Sequence, residues 1–354
     1  MTLRILHFPT DVGGHPTALS HAERRAGAHS EVAVLQSSWL GYPVDIDLGA
    51  KPGSKVSDLT KRVRFMMTAT RRYDVFHFNF GQSFLPRMRD LPWLRRMGKR
   101  VFVTFQGCDA RQQSFCAEHF DLSCCGELSG PGLCSPDRDA AKARLVARAC
   151  QHAHRVFAVN PDLLHVIPDG EFLPYAIDWP REQPQPERRP GPLRVVHAPT
   201  NRAIKGTDHV IAAARALESR FDFELELIEN VPHDEAMRRY RDADVVIDQL
   251  RVGWYGAFAV ELMAMGKPVI AYIREDDLRF VPRQLAAELP IVRATPDTVQ
   301  DRLAELLADP AKLAEIGRRS RRFVERWHDP DTIARWLLEV YETPDRPLAA
   351  AASR

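Results

Sequence analysis

Little in this 354-residue chain is one-sided. Lys and Arg total 49 against 47 Asp and Glu, for a net charge of +2. No long basic run appears, which speaks against a nucleic-acid partner. Long hydrophobic runs are missing too: no stretch approaches the ~20 apolar residues that a membrane-spanning helix needs. The opening MTLRILHFPT reads as a core strand rather than a secretory leader. A cytoplasmic protein with no integral membrane segment is the expectation. No basic amphipathic stretch stands out, which disfavours a membrane lipid as acceptor. Lysine is scarce, eight of the 49 cations, so a lysine in a loop carries information. Six cysteines are too few for a disulfide scaffold of this size, yet five of them fall between Cys108 and Cys134.

What is present is an alternation. Short apolar runs at 4–8, 31–36, 74–80, 100–107 and 155–160 read as strands, with helical patterns at 16–25, 57–71 and 138–151. Residues 178–192, DWPREQPQPERRPGP, carry five prolines and almost nothing apolar, the composition of a stiffened linker. Beyond it the alternation resumes, with strands at 193–197, 222–228, 244–248, 268–273 and 290–292 and helices at 208–219, 233–241, 256–265, 296–308 and 310–326. This predicts an α/β chain of two doubly wound parallel domains facing a cleft. The boundaries are 1–178 on the acceptor side, with a Cys-rich loop at 108–134; a linker at 179–192; and a donor domain at 193–330. Residues 331–354 form a last amphipathic helix and a tail, the helix crossing back to the first domain.

Two segments carry the chemistry. In LRVVHAPTNRAIKGTDHVIAAARAL (193–217) a buried strand gives way to a loop with Arg202 and Lys205-Gly206, then to a helix for which Thr207 or Asp208 is the natural N-cap. A strand end, two cations and a helix N-terminus together suit a phosphate; the plain alternative is a solvated turn. In GWYGAFAVELMAMGKPVIAY (253–272), Gly253 and Gly256 precede a helix in which Glu261 sits among apolar residues. A buried acid needs a partner: a ligand hydroxyl pair would serve, and so would a neighbouring Arg.

Together these segments resemble the nucleotide-sugar half of GT-B glycosyltransferases, the large retaining family numbered four (group 1 type). The resemblance implies that Arg202 and Lys205 bind the donor diphosphate and act as the catalytic electrostatic groups. It implies that Glu261 binds the ribose and that the turn through Gly256, Ala257 and Phe258 lends amides to the phosphates. FPTDVGGHPTAL (8–19) resembles the family's N-terminal glycine loop, which would bring Gly13 and Gly14 to the donor. VTFQGCDAR (103–111) resembles its strand-end motif, with Gln106 standing where a His is usual. Gln106, Asp109 and His77 are the residues assigned to the acceptor or sugar side. The implied reaction moves a hexosyl or related sugar from a nucleotide diphosphate to a carbohydrate or small-metabolite acceptor, with no cofactor needed for catalysis.

Two departures stand out. The family's first acid falls on Gly253, so it is absent, and the His is replaced by Gln106. Glu229, Asp248 and Asp109 are the available substitutes. The same departures leave two other readings open: a catalytically silent nucleotide-sugar-binding partner protein, and an epimerase or hydrolase on the same fold. The cysteines crowd a long Gly- and Pro-containing excursion, which predicts a structural zinc held by Cys108, Cys116, Cys124 and Cys134. Cys125 is an alternative ligand, and an iron–sulfur cluster or plain buried thiols are rival readings.

Overall fold

The computed structural model describes residues 2–50, 55–125, 134–179 and 191–345. They fall into two units, each built on its own parallel sheet. The first holds the described residues of 2–114, 134–178 and 329–345; the second holds those of 115–125 and 179–328.

In the first unit, β1 (Arg4–Phe8), β2 (His29–Val34), β3 (Ile46–Asp47), β4 (Val75–Asn79), β5 (Arg100–Phe105), β6 (Arg155–Ala158) and β7 (Glu171–Phe172) lie in the order β3-β2-β1-β4-β5-β6-β7. Every pairing is parallel. Both faces of this sheet are covered, which is why its strands are near-continuous apolar runs instead of alternating ones. Leu6, Phe76, Phe78, Val101 and Val103 face one core, packed against Met66 and Ala69 of the helix Lys55–Arg72, Leu91 and Leu94 of the helix Leu91–Arg96, and Ala149 of the helix Pro136–His152. Ile5, Val75, Phe102 and Phe157 face the other, against Ala18 and Leu19 of the helix His15–Arg25 and Ile333, Leu337 and Tyr341 of the helix Pro330–Glu342.

That last helix is pinned by polar atoms as well. The Tyr341 hydroxyl lies 2.6 Å from His77 Nδ1, and His77 Nε2 lies 2.6 Å from Thr104 Oγ1, all fully buried. His77 is therefore not an acceptor-side residue. Both its ring nitrogens are spent inside the core, and burial drives its pKa well below the ordinary value, so it is a neutral structural link.

The second unit carries β8 (Leu193–His197), β9 (Phe223–Leu227), β10 (Val245–Ile247), β11 (Val269–Ala271) and β12 (Val292–Arg293) in the order β12-β11-β10-β8-β9, again all parallel. The strand order reverses between β8 and β10, and in the first unit between β1 and β4. Such switch points leave a crevice at the carboxyl ends of the strands.

Residues 115–125 group with the second unit although the chain around them belongs to the first. The cause is visible at Arg274, which follows β11. Its guanidinium lies 3.6 Å from the centre of the Phe120 ring, donates to the Leu122 carbonyl at 2.8 Å, and pairs with Asp277 at 2.8 Å.

Candidate functional site

At the switch point of the second sheet, the chain leaving β8 turns at Asn201, whose side chain accepts from the Ile204 amide at 3.1 Å. This caps a four-residue helix, Arg202–Lys205, where an open loop was expected. Gly206 then takes a left-handed conformation (φ 74°) and itself caps the helix Thr207–Leu217. Neither Thr207 nor Asp208 is the N-cap. Thr207 is the first helical residue, fully buried, with its hydroxyl 2.9 Å from His197 Nε2. Gly206 suits the position twice over, through its positive φ and because a Cβ would come within 3.2 Å of Leu250.

The tight double turn brings Lys205 inward and leaves Arg202 outward. Lys205 is 9% exposed, and Nζ donates to the carboxylate of Asp248, a wholly buried residue directly after β10. The other oxygen of Asp248 accepts from the Gly256 amide at 2.8 Å. One carboxylate thus joins the two loops that flank the switch point, orienting the lysine and fixing the N-cap of the helix Ala257–Ala264. Phe258, in its first turn, packs edge-on to Tyr240 at 5.0 Å, with the Lys205 ammonium 5.8 Å from its ring centre. Arg202 is half exposed and forms a two-pronged pair with Glu229 at the end of β9; that pairing raises the pKa of the one and lowers that of the other.

Glu261 is 5% exposed, and its partner is His233 rather than an Arg: His233 Nε2 lies 2.6 Å from Oε1. Burial works against charge on His233, but the bond to Glu261 and its field prevail, and the pKa lies above the ordinary value. Sequence reasoning missed His233. The only available signal was its place as first residue of a predicted helix, 28 positions from Glu261.

Gly253, where the family's first acid is absent, adopts φ 89°, and a Cβ there would lie 2.6 Å from Arg274 Nη1. The space that an acidic side chain would use is filled by a guanidinium. None of the three proposed substitutes takes over. Asp248 holds Lys205 and the Gly256 amide, and Glu229 holds Arg202. Asp109 belongs to the first unit and accepts from the backbone amides of Gln106 and Gly107, at 3.1 and 2.6 Å. Burial pushes the Asp109 pKa up to about 6, the amide bonds notwithstanding.

In the first unit, Gly13 and Gly14 follow β1 with φ of 64° and 69°, and Gly14 caps the helix His15–Arg25. A Cβ on Gly14 would strike the Tyr42 ring at 2.8 Å. At the end of β5, Gln106 is 5% exposed, and neither atom of its side-chain amide has a partner, although its backbone carbonyl receives Asn160 Nδ2 at 2.7 Å. A buried, unpaired amide costs ~1–3 kcal/mol unless a ligand or water completes it.

The zinc site does not assemble. Among the described residues no group of three or more His, Cys, Asp or Glu side chains converges on a metal position. Cys108 and Cys134, in the first unit, stand 3.8 Å apart, whereas Cys116 and Cys124, both buried, belong to the second. Sequence spacing cannot show that one excursion is shared between two units.

No family model matches the chain, and no curated protein does. Solved structures do. Sucrose-phosphate synthase from Thermosynechococcus elongatus is similar with a TM-score of 0.66 at 16% identity, over 97% of this chain and 98% of that one. A glycosyltransferase from Rickettsia africae gives 0.66 at 12%, over 97% and 98%. HepE of Anabaena, in complex with UDP-glucose, gives 0.64 at 13%, over 97% and 100%. The chain therefore has the GT-B fold of these enzymes, with two Rossmann-like units.

Proposed function

We propose that the protein is a glycosyltransferase that moves a hexosyl group from a nucleotide diphosphate sugar to an acceptor with retention at the anomeric carbon, as in the family numbered four. The observation that carries this reading is the pair Arg202 and Lys205 on one capped helical turn at a topological switch point, with Asp248 and the Gly256 amide behind the lysine. Two cations beside a helix N-terminus suit a diphosphate. Each of the two holds a carboxylate, so a diphosphate would bind by exchange: the exposed Arg202 leaves Glu229, while Lys205 keeps Asp248 as its orienting partner. Glu261, set by His233, would accept from the ribose hydroxyls.

Retention fits the engagement of the carboxylates. Asp248 and Glu229 are both consumed by cations, which disfavours either as a covalent nucleophile. The acceptor hydroxyl would attack the anomeric carbon on the face that the diphosphate leaves. The C–O bond to the phosphate breaks as the new one forms, and the acceptor's proton passes to the departing phosphate oxygen. Arg202 and Lys205 would stabilise the charge that develops on that phosphate, the largest contribution such a site makes. Catalysis in this reading needs no metal. The first unit would hold the acceptor, with Gln106 and the Gly13-Gly14 turn at the strand ends, and the acceptor would be a carbohydrate or a small metabolite.

Thermal unfolding of the wild type and Lys205→Ala against UDP, GDP, ADP, CDP and dTDP tests the donor site. UDP comes first because HepE is complexed with it. A nucleotide at about 100 times its Kd adds ~2.7 kcal/mol, several degrees in midpoint. One diphosphate stabilising the wild type and not the variant is the expected result. No shift with any of the five would leave only the fold.

A further inference from the structure

Among the described residues, seven large hydrophobic side chains are exposed, and five of them fall between positions 55 and 100: Leu59, Val63, Met67, Trp93 and Met97. The same 46-residue segment holds twelve Lys and Arg against three Asp and Glu, a net +9 in a chain whose total is +2. Apolar exposure and positive charge are therefore concentrated in one place.

The geometry explains how. Leu59, Val63 and Met67 recur every four residues along the helix Lys55–Arg72, forming a continuous ridge. The ridge runs between the side that packs Met66 and Ala69 into the core and the side that carries Arg64 and Arg71. Trp93 and Met97 lie on and just beyond the helix Leu91–Arg96, which covers the same face of the first sheet. Arg64, Arg71, Arg87, Arg89, Arg95 and Arg96 are all exposed, and none forms an ion pair among the described residues. Exposed arginines elsewhere are partly paired, as in Arg238–Glu235 and Arg302–Glu305, and partly unpaired, as at Arg318, Arg319 and Arg322, but no other described stretch combines unpaired arginines with a row of exposed large hydrophobic side chains. The field of this cluster is felt at His152, whose pKa is lowered by burial and then by Arg148, Arg95 and Arg96.

We propose that this face of the first unit, formed by the helices Lys55–Arg72 and Leu91–Arg96, docks on an anionic lipid membrane. A soluble polyanion would use the cations but has no use for a ridge of Leu, Val and Met, or for an exposed Trp among arginines. An apolar protein partner would not call for six unpaired arginines. A bilayer surface rich in acidic headgroups takes both, the ridge entering the acyl boundary while the guanidinium groups hold phosphate. This inference is independent of the sugar-transfer reading: it concerns a different surface and holds or fails without any donor.

Co-sedimentation of the full chain with vesicles tests it. Phosphatidylcholine vesicles containing about 30% phosphatidylglycerol should bind at least ~10-fold more tightly than phosphatidylcholine alone, and ~0.5 M salt should remove most of that advantage. Arg64→Glu/Arg71→Glu should lower the affinity at least ~10-fold, and Val63→Ser/Met67→Ser should weaken binding to the same vesicles. Arg302→Glu, on another helix, should leave it unchanged. Equal binding to both vesicle types, or undiminished binding by the charge-reversed variant, would overturn the proposal. So would salt-sensitive retention on heparin or duplex DNA with no vesicle binding. The salt titration of the wild type stands even if a variant fails to fold.

Discussion

The two sheets share one architecture but spend their charge differently. At the carboxyl ends of β8, β9 and β10 the second unit places two cations and two carboxylates, and each cation has an acid within hydrogen-bonding reach. The corresponding ends of the first sheet carry glycines at positive φ, the unpaired amide of Gln106, and Asp109 turned onto its own backbone. The first unit's unpaired cations sit instead on the outside of its helices. The contrast teaches that parallel-sheet geometry provides a crevice, while the residues capping the strands set its chemistry: paired cations in the second unit, and a neutral amide with glycine turns in the first.

The sharpest break in that comparison comes from Lys205→Ala. Losing one contact to a developing phosphate charge costs ~3 kcal/mol, or 10²–10³ in turnover. The same change leaves Asp248 buried and unpaired, so the unfolding midpoint should fall as well, and Lys205→Ala/Asp248→Asn should recover part of the stability but none of the rate. A single mutant within threefold of wild-type turnover would remove Lys205 from the chemistry.

Gln106→Met is expected to separate stability from function in the first unit. Replacing an unpaired buried amide with an apolar side chain of similar size should leave stability unchanged or raise it by ~1 kcal/mol. Turnover should fall about 10-fold if the amide meets a ligand. Unfolding and initial-rate measurements on the same preparation decide this, and unchanged turnover would reduce Gln106 to a packing residue.

pH offers a gentler probe of each unit. The folded pKa of His233 is raised, so its pairing with Glu261 contributes stability that is complete below the ordinary histidine value of 6.5 and is lost as pH rises through the higher folded value. Wild type should accordingly lose its advantage over His233→Ala on going upward from pH 6.5. Asp109 is also raised, from 3.8 to about 6, but in an acid this means that ionisation opposes folding: stability present below pH 3.8 is lost as pH passes about 6. Midpoints of Asp109→Asn and wild type, measured at about pH 5 and pH 8, should diverge in favour of the variant at the higher pH. Smallest of all should be Tyr341→Phe, which removes the hydroxyl beside His77 and costs ~1 kcal/mol in unfolding, with turnover unchanged.

Much of the cationic turn at Arg202–Lys205 was legible because its residues are close in sequence. Arg202, Lys205 and Gly206 fall within five positions, and a strand followed by a helix fixes their geometry. Partners contributed from distant segments were not legible. His233 meets Glu261 across 28 positions, Asp248 meets Lys205 across 43, and Arg274 reaches Leu122 across 152. The same limit explains the cysteines, since five thiols in 27 residues look like one site until the excursion is seen to divide between two units. It also explains the helix Lys55–Arg72, whose apolar residues occupy two sides. Spacing alone cannot tell the side with Met66 and Ala69 from the ridge of Leu59, Val63 and Met67.

Periodicity and turn chemistry are local, and the sequence by itself therefore determined the two α/β halves, the proline-rich break between them and the cationic turn at Arg202–Lys205. Only the tertiary structure decided which buried charge found which partner, which apolar side chains stayed outside, and that Arg274 fills the space beside Gly253. Each of these is a competition for space and for hydrogen bonds among segments far apart in the chain, and close packing settles it by letting one group occupy each position.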